Sequence, residues 1–414
     1  MSAVAVEVVQ PEIILDLSRL LSRILHPTPT GIDRVEMAYA RELLRLIPDQ
    51  LHFAAVQPYG AYGRLPRRNV LEFLDQTEML WNGQTSFSKT RLRLQAAAKL
   101  FQLRPRRIPS PTPGRVRIYL QASPHHLDRP GRVRAILQRE AARFVCLVHD
   151  LIPIQYPEYA RPGGAERHGR RIDTLGQHAD ALVANSAATR EALIAYLTPT
   201  GGFPDITVAH LGTHVGADTA PTLQVASPYF ICVGTIEPRK NHLLLLNLWR
   251  RMAEEKRPGE IIPKLVLIGR RGWENENVID MLDRCPALTD HVVEAKRVSD
   301  RDIEGLIRGA KALLLPSFAE GYGMPVAEAL AMNVPVICSD IAALREVGGQ
   351  APEYLDPVDG MAWLSAIRAY ATEDSRERAA QQERIASWSM PTWPDHLKAV
   401  LTICSRIATT NVAG

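Results

Sequence analysis

Short apolar runs alternate with longer amphipathic stretches through the first half of the chain. The runs have the length of buried strands, and the stretches between them carry apolar residues at helical spacing. This alternation is typical of parallel sheets covered by helices. The predicted strands are Ile13–Leu17, His52–Val56, Arg117–Gln121, Phe144–Val148, Ala181–Ala184 and Ile206–Ala209, and the predicted helices are Asp33–Leu46, Arg132–Ala142 and Ala188–Leu197.

A second alternation of the same kind follows residues 213–228, THVGADTAPTLQVASP, which have small residues, two prolines and no periodicity. Such composition favours a linker. The predicted strands beyond it are Tyr229–Val233, Lys264–Ile268, Ala312–Leu315 and Val334–Cys338. The predicted helices are Asn241–Met252, Asn277–Leu282, Asp300–Gly309 and Pro325–Met332, with further helices after Gly360.

The repeated alternation predicts two α/β domains that face each other across a cleft. A length of 414 residues suits two domains of ordinary size. We place the N-terminal domain at residues 1–215 and the C-terminal domain at 216–390. We expect a last helix, at 391–414, to pack back toward the N-terminal domain. Open parallel sheets bind ligands beyond the carboxyl ends of their strands, so the loops that follow strands are the places to search for function.

The overall composition is that of an ordinary globular protein, with 46% apolar residues and a net charge of +4. A charge this small gives no reason to expect nucleic-acid binding. The five cysteines are odd in number and have no metal-ligand spacing, which favours reduced thiols. The first residues lack a secretion signal, and no apolar run reaches the length of a membrane span. We therefore expect a cytoplasmic protein.

The basic residues are unevenly distributed, because no Asp or Glu occurs between Glu78 and Asp128. Within that stretch, residues 89–117 hold nine Lys or Arg residues. On a helix, the leucines and alanines of residues 90–107 share one face and basic groups flank it, as in interfacial helices. This pattern predicts contact with an anionic membrane surface, on the inner face of the cell membrane. The alternative is a solvated basic helix that binds nothing.

The stretch ALLLPSFAEGYGMPVAEAL, residues 312–330, combines a buried strand, a glycine loop and a helix start. Glycines allow a ligand to approach the backbone closely, and the first amides of a helix attract a diphosphate. Glu320 lies on the loop, where it could reach hydroxyls of a sugar. Glu328 is predicted in the first helical turn, where it could accept hydrogen bonds from a ribose. The alternative is a solvated loop glutamate and a glutamate that merely favours a helix start.

A similar loop follows the strand in YFICVGTIEPRKNH, residues 229–242. Arg239 and Lys240 come just before a predicted helix, and two adjacent cations can neutralise a diphosphate leaving group. The alternative is a solvated basic pair.

In the first half, the strand in FVCLVHDLIPIQYPEYA, residues 144–160, ends at His149 and Asp150. The His can hydrogen-bond a sugar, and the Asp can orient the His or an acceptor hydroxyl; a structural His with a turn-capping Asp is the alternative.

GTIEPRKNH, followed by PSFAEGYGMPVAEALAMNVPVICSD, resembles the family-4 retaining glycosyltransferases of GT-B architecture, in which two glutamates are separated by seven residues. The resemblance covers roughly residues 140–370 and is closest to polysaccharide-assembly, mannosyltransferase-like members. It implies two Rossmann-like domains and a nucleotide diphosphate sugar bound mainly by the second. Thr235 stands where many members have an arginine, a duty that Arg239 can take. Gly31, at a predicted helix start, resembles the glycine loop that meets the diphosphate.

The resemblance assigns roles residue by residue. Arg239 and Lys240 hold the phosphates, Glu328 holds the ribose, and the base lies near Arg297 and Val298. The implied catalytic residues are His149, Asp150 and Glu320, and the implied donor-binding residues are Gly31, Gly234, Thr235, Arg239, Lys240, Arg297, Val298, Gly321, Tyr322, Gly323, Met324 and Glu328.

We expect no metal and no resident cofactor. Asp300-Arg301-Asp302 matches the Asp-x-Asp metal pattern, but it also fits a helix start capped by Ser299 or Asp300, which we favour.

The predicted function is retaining transfer of a hexose or deoxyhexose to a glycan or lipid-linked glycan in cell-surface polysaccharide assembly. GDP-sugars are the favoured donors, with UDP- and dTDP-sugars as alternatives. The alternative function is a non-catalytic GT-B protein that binds a sugar nucleotide or acts as a scaffold.

Overall fold

The computed structural model describes residues 10–26, 28–84, 89–216, 221–296 and 298–409. These residues form two compact units. The first unit takes its described residues from 1–149, 166–211 and 393–414, and the second from 150–165 and 212–392. Residues 150–165, which the sequence placed in the N-terminal domain, therefore group with the second unit.

The first unit is built on a sheet of seven strands with helices between them. The strands are β1 Glu12–Asp16, β2 Leu51–Val56, β3 Tyr62–Arg64, β4 Arg117–Gln121, β5 Ala142–Val148, β6 Ala181–Ala184 and β7 Asp205–Val208. The helices are α1 Ser18–Ser22, α2 Gly31–Leu46, α3 Arg67–Trp81, α4 Lys89–Gln102, α5 Pro130–Glu140, α7 Gly164–His178, α8 Ala187–Leu197 and α16 Trp393–Thr409.

The strand order in this sheet is β3-β2-β1-β4-β5-β6-β7. All neighbours are parallel except β2 and β3, which are antiparallel. Strands β1, β3, β4 and β6 are buried along their whole length, and Phe53, Phe144 and Tyr39 are among the largest side chains fully removed from solvent. The last helix, α16, packs against α2, β4 and β6.

The second unit has a six-stranded sheet in the order β10-β9-β8-β11-β12-β13, in which every pairing is parallel. Its strands are β8 Tyr229–Val233, β9 Lys264–Ile268, β10 Val292–Ala295, β11 Leu313–Leu315, β12 Val336–Ser339 and β13 Glu353–Leu355. Its helices are α6 Ile152–Gln155, α9 His242–Glu254, α10 Glu276–Arg284, α11 Asp300–Gly309, α12 Met324–Ala331, α13 Ala342–Gly348, α14 Gly360–Ala371 and α15 Arg376–Ala386.

The core of the second unit lies between its sheet and the helices α9 and α14. Trp249 and Trp363 are completely buried there, beside Phe230 of β8 and Ile367 of α14. Both indole N–H groups donate to backbone carbonyls, Trp249 to Pro263 at 2.7 Å and Trp363 to Asp356 at 2.9 Å. The large aromatic surfaces are therefore buried without leaving a donor unpaired.

The prediction of two α/β domains with parallel sheets is confirmed, and each predicted strand appears within about two residues of its expected bounds. The strands β3, β10 and β13 and the helices α1, α3, α6, α7 and α13 were not predicted. The three strands are three or four residues long and lie at sheet edges, where a short run carries little apolar signal. Within the described part of the chain, no helix is both long enough and apolar enough to cross a membrane.

Candidate functional site

The main candidate site lies at the carboxyl ends of β8 and β11. These strands are the first and fourth of the second unit along the chain, yet they are neighbours in the sheet. The strand order reverses at that point. Such a switch point is where open parallel sheets bind ligands. The loop after β8 carries Gly234 to Lys240, and the loop after β11 carries Glu320.

The loop after β8 is fixed by close backbone contact. Gly269 lies on the loop after the neighbouring strand β9. A Cβ there would lie 1.8 Å from the carbonyl oxygen of Gly234, so only glycine allows the loops after β8 and β9 to approach this closely. A 3₁₀ turn at Pro238–Lys240 follows, and Asn241 ends it in the left-handed region with φ of +53°. Helix α9 then begins at His242. The turn presents both cations at the end of the strand.

Glu320 lies between these two cations. Its Oε2 is 2.8 Å from Arg239 Nη1, and its Oε1 is 2.5 Å from Lys240 Nζ. Arg239 also contacts Glu237, with 2.6 Å between Nε and Oε1, and donates to the carbonyl of Ala319 at 2.8 Å. The side chains of Glu320 and Lys240 are 7% and 8% exposed. The sequence identified these residues separately and did not predict that they form one ion-pair cluster.

The ion pairs of the cluster favour the charged forms of Glu320 and Arg239. Burial by itself would raise the pKa of Glu320, but Arg239 and Lys240 lower it to about 2. Burial would likewise lower the pKa of Arg239, yet the charges of Glu320, Glu237 and Asp150 raise it above its ordinary value. Because the folded pKa of Glu320 lies below the unfolded value, its ionisation stabilises the fold above about pH 4.5, and this stabilisation is lost as the pH falls toward 2.

Helix α12 starts directly beyond this cluster. Gly323 is its N-cap residue with φ of +101°, and a Cβ there would lie 2.4 Å from Leu344 Cδ2. Glycine has no side chain to cap the helix, so the N-terminus is well suited to an anionic ligand. Because the helix begins at Met324, Glu328 is its fifth residue. The prediction that Glu328 lies in the first turn was wrong, because α12 starts one residue earlier than expected and has no acidic residue in that turn.

His149 lies at the end of β5 in the first unit. Its Nε2 is 2.8 Å from the carbonyl oxygen of Ala122, and because a carbonyl oxygen only accepts, this nitrogen carries a proton. The carbonyl of His149 accepts from Asn185 Nδ2 at 2.9 Å. The first bond fixes the ring and the second the backbone of His149 at the carboxyl edge of the first sheet, next to β4.

Asp150 groups with the second unit. Its Oδ1 accepts from the amide of Ile152 at 3.1 Å, which is the turn-capping contact that the sequence left open as an alternative. Its charge also contributes to the raised pKa of Arg239.

An aromatic stack that the sequence did not reveal joins the segment after Asp150 to the loop of Glu320. Tyr159 stacks on Phe318 with 5.8 Å between ring centroids, and Tyr156 stacks on Tyr159 at the same distance. Trp273 donates from Nε1 to the carbonyl of Tyr159 at 3.0 Å, and Arg161 lies over the Trp273 ring. Aromatic residues near a proline-rich loop were visible in the sequence, but their partners lie more than a hundred residues away.

Gly31 is the first residue of α2, and side-chain hydrogen bonds already cap the start of this helix. Thr30 and Asp33 form a capping box, and Arg19 contacts both of them, at 2.6 Å from Asp33 and 2.9 Å from Thr30. A ligand phosphate at Gly31 would therefore meet a carboxylate as well as an arginine.

The remaining predicted positions are less informative. Thr235 and Val298 are half-buried, and Gly321, Tyr322 and Met324 line the turn into α12. Arg297 lies outside the described residues. Ser299 caps α11 by accepting from the amide of Asp302 at 3.1 Å, with Asp300 and Asp302 in the first turn. This is the capping arrangement that we favoured for the Asp-x-Asp pattern.

Residues 220–384 match the model of the family described as Glycosyl transferases group 1. The chain is 30% identical over 234 residues to the serotype-specific mannosyltransferase WbdA of Escherichia coli, covering 52% of this chain and 28% of that protein. It is 33% identical over 165 residues to O-antigen chain mannosyltransferase B of Escherichia coli, covering 40% of this chain and 42% of that protein. The chain thus spans less than half the length of these curated relatives.

Two solved structures share the fold over nearly the whole chain. The crystal structure of Anabaena Alr3699/HepE in complex with UDP and glucose has a TM-score of 0.61 at 15% identity, and covers 95% of this chain and 99% of that one. An α,α-trehalose-phosphate synthase (UDP-forming) from Burkholderia vietnamiensis has a TM-score of 0.60 at 12% identity, and covers 97% and 99%. At such identities the likeness concerns the fold alone. The match to Glycosyl transferases group 1 covers residues 220–384, and the chain has the GT-B fold of these solved structures.

Proposed function

We propose that the chain transfers a hexose or deoxyhexose from a nucleotide diphosphate sugar to a glycan or lipid-linked glycan, with retention at the anomeric carbon. The reaction belongs to cell-surface polysaccharide assembly, on the cytoplasmic side of the membrane. Mannose is the favoured sugar, because the relatives described above are mannosyltransferases. A GDP-sugar is the preferred donor.

The cluster of Glu320, Arg239 and Lys240 carries this proposal. Nearly buried charges are costly, and such clusters concentrate at functional sites because they hold groups in defined charge states. Here two cations lie at a switch point, beside the N-terminus of α12, whose N-cap residue is Gly323. A leaving diphosphate needs both features, because its negative charge grows as the bond to the sugar breaks.

The residues act as follows. Arg239, Lys240 and the first amides of α12 bind the diphosphate, and Glu320 holds the cations in place and accepts hydrogen bonds from sugar hydroxyls. Glu328 binds the ribose. His149 belongs to the catalytic machinery, where its ring hydrogen-bonds the donor sugar.

We propose a front-face mechanism for the transfer. The bond between the anomeric carbon and the diphosphate oxygen breaks, and the acceptor hydroxyl oxygen forms the new bond on the same face. The proton of that hydroxyl passes to the departing phosphate oxygen. A covalent route would require a carboxylate aligned behind the anomeric carbon, and Glu320 is instead engaged by two cations.

The alternative function, a sugar-nucleotide binder or scaffold without turnover, would use the same donor site. A thermal-shift screen of GDP-, UDP- and dTDP-sugars separates these possibilities when it is followed by a transfer assay with the donor that stabilises most. We expect a GDP-sugar to raise the melting temperature and to yield a product with the donor's anomeric configuration, read by NMR. Stabilisation without turnover on any glycan acceptor would favour the binder. No stabilisation by any nucleotide would overturn the proposal, and a covalent sugar adduct would overturn the mechanism.

A further inference from the structure

Helix α4 has two apolar faces, and only one of them is used in packing. Its inner face consists of Ala96, Lys99 and Leu100 and continues to Leu103, with Ala96 and Leu103 buried. Leu103 also accepts from the buried Gln57 side chain at 2.7 Å, and Lys99 pairs with Glu72 of α3 at 3.6 Å. These contacts fix the orientation of the helix on the first unit.

The opposite face points to solvent although it is apolar. Leu94, Ala97, Ala98 and Phe101 follow the spacing of one helical stripe and are all exposed. Leu94 and Phe101 are each 69% exposed, among the most exposed large apolar side chains of the described chain. We call these four residues the α4 stripe. Scattered exposed apolar residues are ordinary, but a continuous stripe marks an interaction surface.

Exposed arginines border the α4 stripe. Arg93 precedes it and Arg104 follows it, with the Arg104 guanidinium 5.1 Å from the centre of the Phe101 ring. Arg106, Arg107 and Arg115 are exposed just beyond, and the Arg106 amide donates to the carbonyl of Arg64 at 2.9 Å, which ties this segment to the edge strand β3.

Two residues of the predicted basic segment do not belong to this surface. Arg117 is buried and pairs with Glu12 at 3.0 Å, and Lys99 is directed inward to Glu72. The side chains of Lys89 and Arg91 lie outside the described residues.

We propose that the α4 stripe and its bordering arginines dock on an anionic lipid bilayer, with Leu94 and Phe101 entering the acyl boundary and the arginines contacting lipid phosphates. Charge complementarity decides in favour of this occupant. No acidic residue occurs from residue 79 to 127, so the segment that forms the α4 stripe and its border carries only positive charges around an apolar centre, which is the pattern of interfacial helices. The proposal goes beyond sugar transfer and does not depend on it.

The test is co-sedimentation of the full chain with vesicles of phosphatidylcholine alone or mixed with phosphatidylglycerol. We expect binding only to the mixed vesicles, weakening as salt rises. Arg106→Gln with Arg107→Gln should weaken binding about fivefold for each arginine removed. Leu94→Ser with Phe101→Ser should abolish co-sedimentation with the mixed vesicles at physiological salt. The four substituted side chains are all exposed, so the variants should fold as the parent does and give the same circular dichroism spectrum.

Matched controls use residues of equal exposure elsewhere. Ile261→Ser with Val358→Ser removes apolar side chains that are 75% and 74% exposed on the second unit, and Arg257→Gln with Arg376→Gln removes two exposed arginines. Both control pairs should bind as the parent chain does. Absence of binding to anionic vesicles, or equal binding by the stripe variant, would overturn the proposal. A third outcome would also overturn it: the parent chain does not bind vesicles, and the stripe variant changes self-association on size exclusion. The α4 stripe would then be covered by a second copy of the chain.

Discussion

Lys240 Nζ and Glu320 Oε1 lie 2.5 Å apart, although 80 residues separate them in the sequence. Arg239 holds the other oxygen of the same carboxylate. A phosphate that binds the two cations must therefore compete with, or add to, a carboxylate already in place. The charge and position of each member depend on the others, and substitutions in the cluster should not act independently.

Replacing Glu320 by Gln should affect both stability and turnover. The substitution leaves two poorly exposed cations without their shared anion, and we expect a loss of about 3 kcal/mol in the free energy of unfolding and roughly a hundredfold lower kcat. Urea unfolding and initial rates measure these effects. GDP should restore more stability in the variant than in the parent, since a phosphate supplies the missing negative charge. Parent-like stability together with parent-like kcat would contradict the assigned role.

Glu328→Ala should act mainly on donor binding. A carboxylate that accepts from ribose hydroxyls contributes equally to the ground state and the transition state, so we expect the donor KM to rise about tenfold while kcat changes little. Steady-state kinetics against donor concentration give both values. Glu276→Ala, at an exposed position of α10, is the control. A fall in kcat with an unchanged KM would argue that Glu328 acts on the sugar instead.

Arg239→Lys should show that geometry matters as well as charge. Arginine contacts Glu237, Ala319 and Glu320 at once, and a single ammonium group cannot replace this planar set. We expect kcat/KM to fall about tenfold or more, with weaker GDP binding by calorimetry. Arg250→Lys on α9, where the exposed side chain pairs with Glu254, should be neutral. Unchanged GDP affinity in the Arg239 variant would place the diphosphate elsewhere.

Glu36 of α2 should make stability depend on pH. Its side chain is fully buried, and Oε1 accepts from the Leu20 amide at 3.0 Å. Burial, followed by the charge of Asp16, raises its pKa from 4.5 to about 8. Between these two values the folded chain keeps a proton that the unfolded chain releases, so stability falls as the pH rises through this window.

Glu36→Gln removes this dependence, because a neutral amide replaces the neutral acid. At pH 7 the variant should be more stable by roughly 3 kcal/mol, while the two proteins should be similar near pH 4. Urea midpoints across pH 4 to 8 test this, with the exposed Glu191→Gln as control. A variant with the same pH profile as the parent would show that Glu36 is ionised in the folded protein.

Local sequence signals determined much of this architecture. The apolar runs predicted strands such as β8 and β11, because a buried parallel strand needs nearly continuous apolar residues. Pro325 predicted a helix start that lies one residue earlier, at Met324, and Ser299 or Asp300 was predicted to cap α11, because these signals act within a few residues. The candidate cations and glutamates were likewise found one by one.

Only the tertiary structure decided which of these residues meet. Lys240 reaches Glu320 because β8 and β11 are neighbours in the sheet, and strand order is set by contacts that no local pattern encodes. The same holds for Tyr159 on Phe318, for the burial of Glu36 near Asp16, and for the outward direction of Leu94 and Phe101 on α4. Periodicity specifies that a helix has an apolar face, whereas the packing of the rest of the chain decides whether that face is covered.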